Sequence, residues 1–465
     1  MQESGRLPGS DATLAPPNTQ TTAQKRAHRK LLAAGLVGSS IEWYDFFLYG
    51  TAAALVFPHV FFPDASALMG TLLSFSTFWA GFVARPIGGV LAGHFGDRYG
   101  RKPVVVVCLL AMGVATFLIG CLPSTGSIGI LAPILLVTLR FVQGIACGGQ
   151  WGGIVLLLTE SAGPKKRGFA GTFGQMGVPL GLILGNLVFL AATAALSTDA
   201  FLSWGWRVPF LASALLFPVV LYIHTRVEDS PEFRELQAET AKKKAPAVAQ
   251  APLAEAIKGH WRTILLGCGL LAATNSLFYV SIAGLLSYGT AELGMNRNAL
   301  LAISLISSAL LTGVILWAGS LSDRIGRRPL ILLGGAGMAL WAFPFFGLVN
   351  TASIAAVFLA VAVGSLLQAL TYGPLAAFMG ELFAPRVRYS GASLAYQLAA
   401  ITISGGTPFI MTAIIANTGS TTGVSVFLMA MGLITVFSAW KLRETNPPAV
   451  RNDPDAIPGA YLYQS

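Results

Sequence analysis

Four charged residues stand where the sequence offers almost nothing else that is polar. Glu42 and Asp45 lie three residues apart in SSIEWYDFFLYG (39–50), within a stretch from Leu31 to Phe62 that is otherwise almost wholly apolar, and Arg85 and Arg140 are embedded in two later apolar runs. A three-residue spacing puts the two acids on one face of a helix, and Tyr49 extends that face by one turn. A carboxyl group in apolar surroundings can take up and release a proton, and a guanidinium can hold a carboxylate through two parallel N–H bonds. If an acid near Arg140 is protonated, the guanidinium is free to hold an outside anion; when the proton leaves, the internal pair re-forms and expels it. Arg140 is followed on its helical face by Gln143, Ala146 and Cys147.

The elements that position these charges must be membrane helices. Hydrophobic residues make up 54% of the 465, charged ones only 11%, and the mean hydropathy is +0.68, too apolar for one soluble domain. A span needs roughly 20 apolar residues, and runs of that kind are expected near 31–58, 68–94, 103–123, 129–160, 169–196, 205–226, 261–288, 298–319, 329–349, 353–383, 388–416 and 423–442. A charge at the centre of such a helix costs about 2.5 to 3.5 kcal/mol, so those that persist pair with one another or line a water-filled path. Residues 1–27 read as a disordered tail without a signal peptide, and Cys108, Cys121, Cys147 and Cys268 read as buried small hydrophobes without metal-ligand spacing.

The net charge of +10 reports topology. With the N-terminus in the cytoplasm, all but four of the 30 Lys and Arg fall on the cytoplasmic side, the four being Arg85, Arg140, Arg207 and Arg297. No nucleic-acid partner is implied.

The chain also repeats itself. GHFGDRYGRKP (93–103) matches GSLSDRIGRRP (319–329), and Glu160, Pro164 and Arg167 recur as Glu381, Pro385 and Arg388. A polar stretch, 228–260, separates the copies, with an amphipathic helix expected at 231–244. The layout is a six-span bundle (28–226), a cytoplasmic linker (227–260), a second six-span bundle (261–443) and a C-terminal tail (444–465): an all-α integral membrane protein whose two bundles are related by a pseudo-twofold axis.

The duplicated G-x-x-x-D-R-x-G-R-[KR] loop resembles the signature of the major facilitator superfamily. IEWYDFFLYG, FVARPIGGVLAGHFGDRYGRK, LRFVQGIACGGQWGG, KKRGFAGTFGQMGVPLGLILGN, WGWRVPFLASALL and RVEDSPEF narrow the likeness to its metabolite:proton symporters, which take up shikimate, 2-oxoglutarate, citrate, proline or betaine. That resemblance implies proton-coupled uptake of a small organic acid by alternating access. Asp45 is then the leading proton site with Arg140 as its partner, and Glu42 is the second choice. Arg85 and Arg140 would contact the substrate anion, together with Tyr49, Gln143, Gln150, Trp151 and Gln175 in the first half and Asn275, Tyr279, Tyr288, Gln368, Tyr372 and Gln397 in the second. Gly93, Asp97, Arg98, Gly100, Arg101, Glu160, Asp323, Arg324, Arg327, Glu381 and Arg388 would gate, with Asp97 near the start of span 11 by Arg388 and with Glu160 and Glu381 accepting the loop arginines. In one place the likeness breaks: GGQWGG has Gln150 where many of the family carry an acid.

Other classes fit less well. An efflux antiporter would share the Gly/Pro pattern of GQMGVPLGLILG in span 5, and a sensor without flux would share the fold. An enzyme would need a base, nucleophile or metal set, yet the five His are scattered at span ends. A channel would need charge rings or a filter loop. The expectation is therefore a monomeric carrier in a bacterial inner membrane, with both termini cytoplasmic, the proton as coupling ion and no metal or other cofactor.

Overall fold

In lipid the backbone must satisfy its own hydrogen bonds, so apolar runs of this length become helices. A computed structural model describes residues 22–99, 101–148, 151–215, 252–384, 387–453 and 458–462, with 218 and 456; the side chains of 22–28, 92–106, 151–153, 157, 252–256 and 461 lie outside the described set. Among the described residues the regular elements are all helical.

Span 1 is the helix Thr22–Leu55, span 2 Ala67–Tyr99, span 3 Arg101–Cys121, and span 4 Leu131–Gly148 continued by Trp151–Ser161. Span 5 is Arg167–Ala195, and span 6 is described only through its start, a π turn Phe201–Gly205 followed by Arg207–Ala212. Span 7 runs as Pro252–Leu270, Ala272–Tyr279, a π turn Val280–Gly284 and Leu285–Ala291. Spans 8, 9 and 10 are Arg297–Ile325, Arg328–Val349 and Ile354–Glu381. Span 11 is Arg388–Ala399, a π turn Ala400–Ser404 and Thr407–Thr418; span 12 is Thr422–Lys441. Among the described residues, 9 helices are long and apolar enough to cross a membrane, and the third span adds the shorter apolar helix Val107–Cys121. The amphipathic helix expected at 231–244 lies outside the described residues.

The first helix starts at Thr22, inside the segment expected to be a tail. Lys25, Arg26, His28, Arg29 and Lys30 continue it because a helix crossing into water need not stop at the lipid boundary.

Each half is a bundle, and the halves meet where span 5 packs against span 8, span 2 against span 11, span 1 against span 7, and span 10 against spans 4 and 5. Spans 5 and 8 approach closely because Gly168 and Gly319 face each other there; a Cβ on Gly319 would run into Thr172 and the Gly168 carbonyl. The loop after span 8 turns at Gly326, whose φ of +107° suits glycine.

The expected C-terminal tail is not a free tail. Glu444 caps the start of span 9, its Oε1 and Oε2 accepting from the backbone N–H of Arg327 (3.0 Å) and Arg328 (2.8 Å). Thr445 donates to Glu381 Oε2 at 2.5 Å, and Asn446 Nδ2 donates to the Asp323 carbonyl at 3.2 Å. The chain then returns, the Gly459 N–H reaching the Thr445 carbonyl at 2.7 Å. A polar composition permitted disorder, but the orphan N–H groups of span 9 supply a docking site that composition does not reveal.

Candidate functional site

Spacing on span 1 builds the site. Glu42, Asp45, Phe46 and Tyr49 recur at three- and four-residue steps, so they share the face turned towards spans 2, 3 and 4, and all four are buried. Arg85 and Arg140, 2% and 1% exposed, approach that face from spans 2 and 4.

The expected ion pairs are not what holds these arginines. No carboxylate oxygen of Glu42 or Asp45 is among the described salt-bridge partners, which are Arg327 with Asp323 and Glu381, and Arg388 with Glu160. Instead the guanidinium carbon of Arg85 stands 5.4, 4.5 and 4.7 Å from the ring centroids of Trp43, Phe46 and Phe82. That of Arg140 stands 4.3, 4.2 and 5.1 Å from those of Phe46, Tyr49 and Phe78. In a desolvated setting such contacts stabilise a cation by about 2 kcal/mol, which offsets part of the cost of burial while leaving N–H groups free. Among the described residues, Nε and Nη2 of both arginines have no hydrogen-bond partner; Arg140 Nη1 donates to Gln143 Oε1 at 3.2 Å. Buried donors left over in this way point to an anion or water.

The acids have neutral partners. Cys147 Sγ donates to Glu42 Oε1 at 3.0 Å, so this thiol is a polar contact and not the inert hydrophobe expected; Cys121, expected buried, is exposed. The Asp45 carboxylate lies beside the Thr116 hydroxyl with Arg140 as its nearest cation, and its Oδ1 has no hydrogen-bond partner. Gln143 Nε2 donates to the same Thr116 hydroxyl at 2.6 Å.

Between the halves lies a cavity of about 20 Å³, lined by Trp43, Phe82, Arg85 and Val178 on one side and by Asn275, Phe278, Tyr279, Leu311, Gln368, Tyr372, Tyr396, Ala400 and Ser404 on the other. That volume holds a water molecule or so, so the halves must separate to admit anything larger. Among the described residues of the lining, Arg85 is the one that carries a charge. Asn275 Nδ2 donates to Ser404 Oγ at 2.7 Å, joining span 7 to the π turn of span 11; π turns recur at functional sites because they break the regular ladder.

The other expected substrate contacts divide. Arg85, Asn275, Tyr279, Gln368 and Tyr372 line the cavity. Arg140, Tyr49, Gln143, Gln175 and Gln397 do not: the Tyr49 hydroxyl donates to Thr77 Oγ1 at 2.7 Å, Gln175 Nε2 to the Tyr372 carbonyl at 3.3 Å and Gln397 Nε2 to the Gly148 carbonyl at 3.1 Å. Tyr288 is remote, donating to Asn350 at 3.1 Å. Gln150 and the side chain of Trp151 lie outside the described residues. Trp43, Phe82, Phe278, Tyr396 and Ser404 line the cavity without having been singled out, since aromatics and Ser inside apolar runs look like any packing residue.

Both ends of the cavity are bridged. At the end bearing the duplicated loop, Asp323 caps span 5 by accepting from Gly168 N–H and Phe169 N–H, each at 2.9 Å. Arg327 lies between Asp323 (2.8 Å) and Glu381 (3.2 Å), and Glu160 meets Arg388 across the halves at 3.0 Å. Glu160 is expected to take loop arginines; the side chains of Asp97, Arg98 and Arg101 and all of Gly100 lie outside the described residues, while Gly93 lies within span 2. Arg324 is exposed. At the opposite end Trp79 Nε1 donates to the Ile401 carbonyl (2.8 Å), Asn186 to Ser304 (3.1 Å) and Thr193 to Asn298 (2.8 Å).

A family model described as "Sugar (and other) transporter" matches residues 31–446. The Inner membrane metabolite transport protein YhjE of Escherichia coli (strain K12) is 39% identical over 90% of this chain and 95% of its own. The Shikimate transporter of the same strain is 38% identical over 92% and 97%, and the Glycine betaine/proline/ectoine/pipecolic acid transporter OusA of Dickeya dadantii (strain 3937) is 31% identical over 90% and 83%. A crystal structure of a D-xylose-proton symporter matches with a TM-score of 0.70 at 18% identity, over 89% of this chain and 97% of that one, which bears on the fold alone.

Proposed function

From a chain that belongs to the sugar (and other) transporter family of the major facilitator superfamily, a multi-pass carrier of metabolites and not an enzyme, we propose proton-coupled uptake of a small organic acid by alternating access. The observation that carries the reading is Arg85: a caged guanidinium at the cavity wall whose Nε and Nη2 have no partner among the described residues, facing neutral hydrogen-bonding side chains of the other half. A carboxylate would take those N–H groups, and Asn275, Gln368, Tyr279 and Tyr372 would hold the rest of the molecule. Asp45, adjacent to Arg140, is the proton site; Glu42, held by Cys147, is the secondary one. The loop end faces the cytoplasm, where Asp323, Arg327, Glu381, Glu160 and Arg388 close the inner gate.

The test is uptake into proteoliposomes of labelled shikimate, 2-oxoglutarate, citrate, proline and glycine betaine under an imposed inward proton gradient. Accumulation of an organic acid above its outside concentration, abolished by a protonophore, is the expected result. Uptake indifferent to the gradient contradicts the coupling, and accumulation only of the zwitterions contradicts the organic-acid assignment.

A further inference from the structure

With a carboxylate at Arg85 and a proton at Asp45, a premise taken from the reading above, each site must sense the other for uptake to be coupled. The two arginines stand in three-ring cages, and the cages share one wall. Phe46 has the Arg85 guanidinium carbon 4.5 Å from its centroid and that of Arg140 4.3 Å away. Phe82 packs on it edge-on at 4.8 Å from the Arg85 side, and Phe78 lies tilted against it at 5.2 Å from the Arg140 side. Phe46 is 5% exposed and follows Asp45 directly on the helix.

We propose that Phe46 is the positioning residue that couples the two sites, its ring fixing the spacing between the cation that receives the anion and the cation beside the proton site. Two like charges on one ring repel, and low dielectric makes that repulsion strong. A carboxylate arriving at Arg85 cancels one of them, so the positive field that favours the ionised form of Asp45 weakens and Asp45 takes a proton more readily. Linkage gives the converse: a protonated Asp45 favours the anion.

The groups that share this field are few. Arg140 of span 4 is the charged group next to Asp45, with Thr116 of span 3 as its hydroxyl neighbour. Span 1 itself supplies Glu42, Tyr44 and Tyr49, and span 2 supplies Arg85. Cys147 of span 4, Tyr279 of span 7, Tyr372 of span 10 and Tyr396 of span 11 are the other titratable groups around the two guanidiniums among the described residues. Without the ring, the guanidiniums are free to swing onto Asp45 and Glu42, and an anion at Arg85 no longer changes the field at the proton site.

The experiment measures protons taken up per shikimate bound by the purified full-length protein, in weakly buffered detergent with a pH indicator, with binding followed by Trp fluorescence. Wild type is expected to take up about one proton per anion and Phe46→Leu at least about fivefold less at saturation, whereas Phe46→Tyr, which keeps the ring, stays near wild type. Phe82→Leu removes a wall that only the Arg85 cage has, so it weakens affinity while keeping the proton ratio. Should Phe46→Leu fail to elute as a monodisperse protein, Phe46→Met, close in volume and without a ring, is read in its place. A wild-type ratio in the ring-less variant, or an equal loss in Phe82→Leu, overturns the role of Phe46 and leaves the uptake reading standing. Failure of that reading shows itself separately, as no carboxylate uptake by wild type in proteoliposomes.

Discussion

The N-terminal half holds its buried arginines, Arg85 and Arg140, at cavity level on aromatic rings, with N–H groups to spare. The C-terminal half holds Arg327, fully buried, at the loop end between Asp323 and Glu381. Rings lower the cost of a buried cation without consuming its donors; carboxylates consume them. The first arrangement suits groups that must exchange partners during a cycle, and the second suits a latch. The described cavity lining repeats the asymmetry, with one charge, Arg85, in the N-terminal half and neutral polar groups in the C-terminal half.

Substitutions at each place separate the two arrangements. Arg327→Ala leaves Glu381 and Asp323 buried without their cation and is expected to cost about 3 to 5 kcal/mol of stability, read as a large fall in melting temperature in detergent. Equal stability in that variant would mean the latch is not fixed by the pair. Arg85→Ala is expected to act on function more than on fold: losing two charge-assisted hydrogen bonds, about 3 kcal/mol, weakens carboxylate affinity roughly 100-fold. Its melting temperature should fall less than that of Arg327→Ala, and the reverse ranking would erase the contrast. Gln368→Ala removes one neutral contact of the lining, about 1 kcal/mol, and should raise KM severalfold while leaving proton dependence intact. Smallest is Glu160→Gln: its side chain is 48% exposed, so its pair with Arg388 contributes about 1 kcal/mol at most, visible as a modest shift in transport rate.

Much of this organisation is legible in the sequence. Apolar run lengths give the spans, the repeated loop gives the two halves, and the rarity of charge singles out Glu42, Asp45, Arg85 and Arg140, all of which the fold gathers at one level. What partners those charges is not legible. Phe46 and Tyr49 sit one turn and two turns beyond Glu42, so helical spacing could have placed them on the same face, but rings in an apolar run carry no sign that they face cations and not lipid. The pairing of Glu42 with Cys147, and of Gln143 with Thr116, depends on how spans 1, 3 and 4 lean together. At the C-terminus a polar composition reads as solvated chain, whereas Glu444, Thr445 and Asn446 meet a helix start and a buried acid that exist only once span 9 is formed.

The central claim is that charge at the level of the cavity moves protons with the substrate. Its most direct measurement is accumulation of labelled shikimate by proteoliposomes under an inward proton gradient, comparing wild type with Asp45→Asn. Wild type is predicted to concentrate the label, and Asp45→Asn to equilibrate it by exchange without concentrating it. Gradient-driven accumulation at the wild-type level in Asp45→Asn would contradict the account.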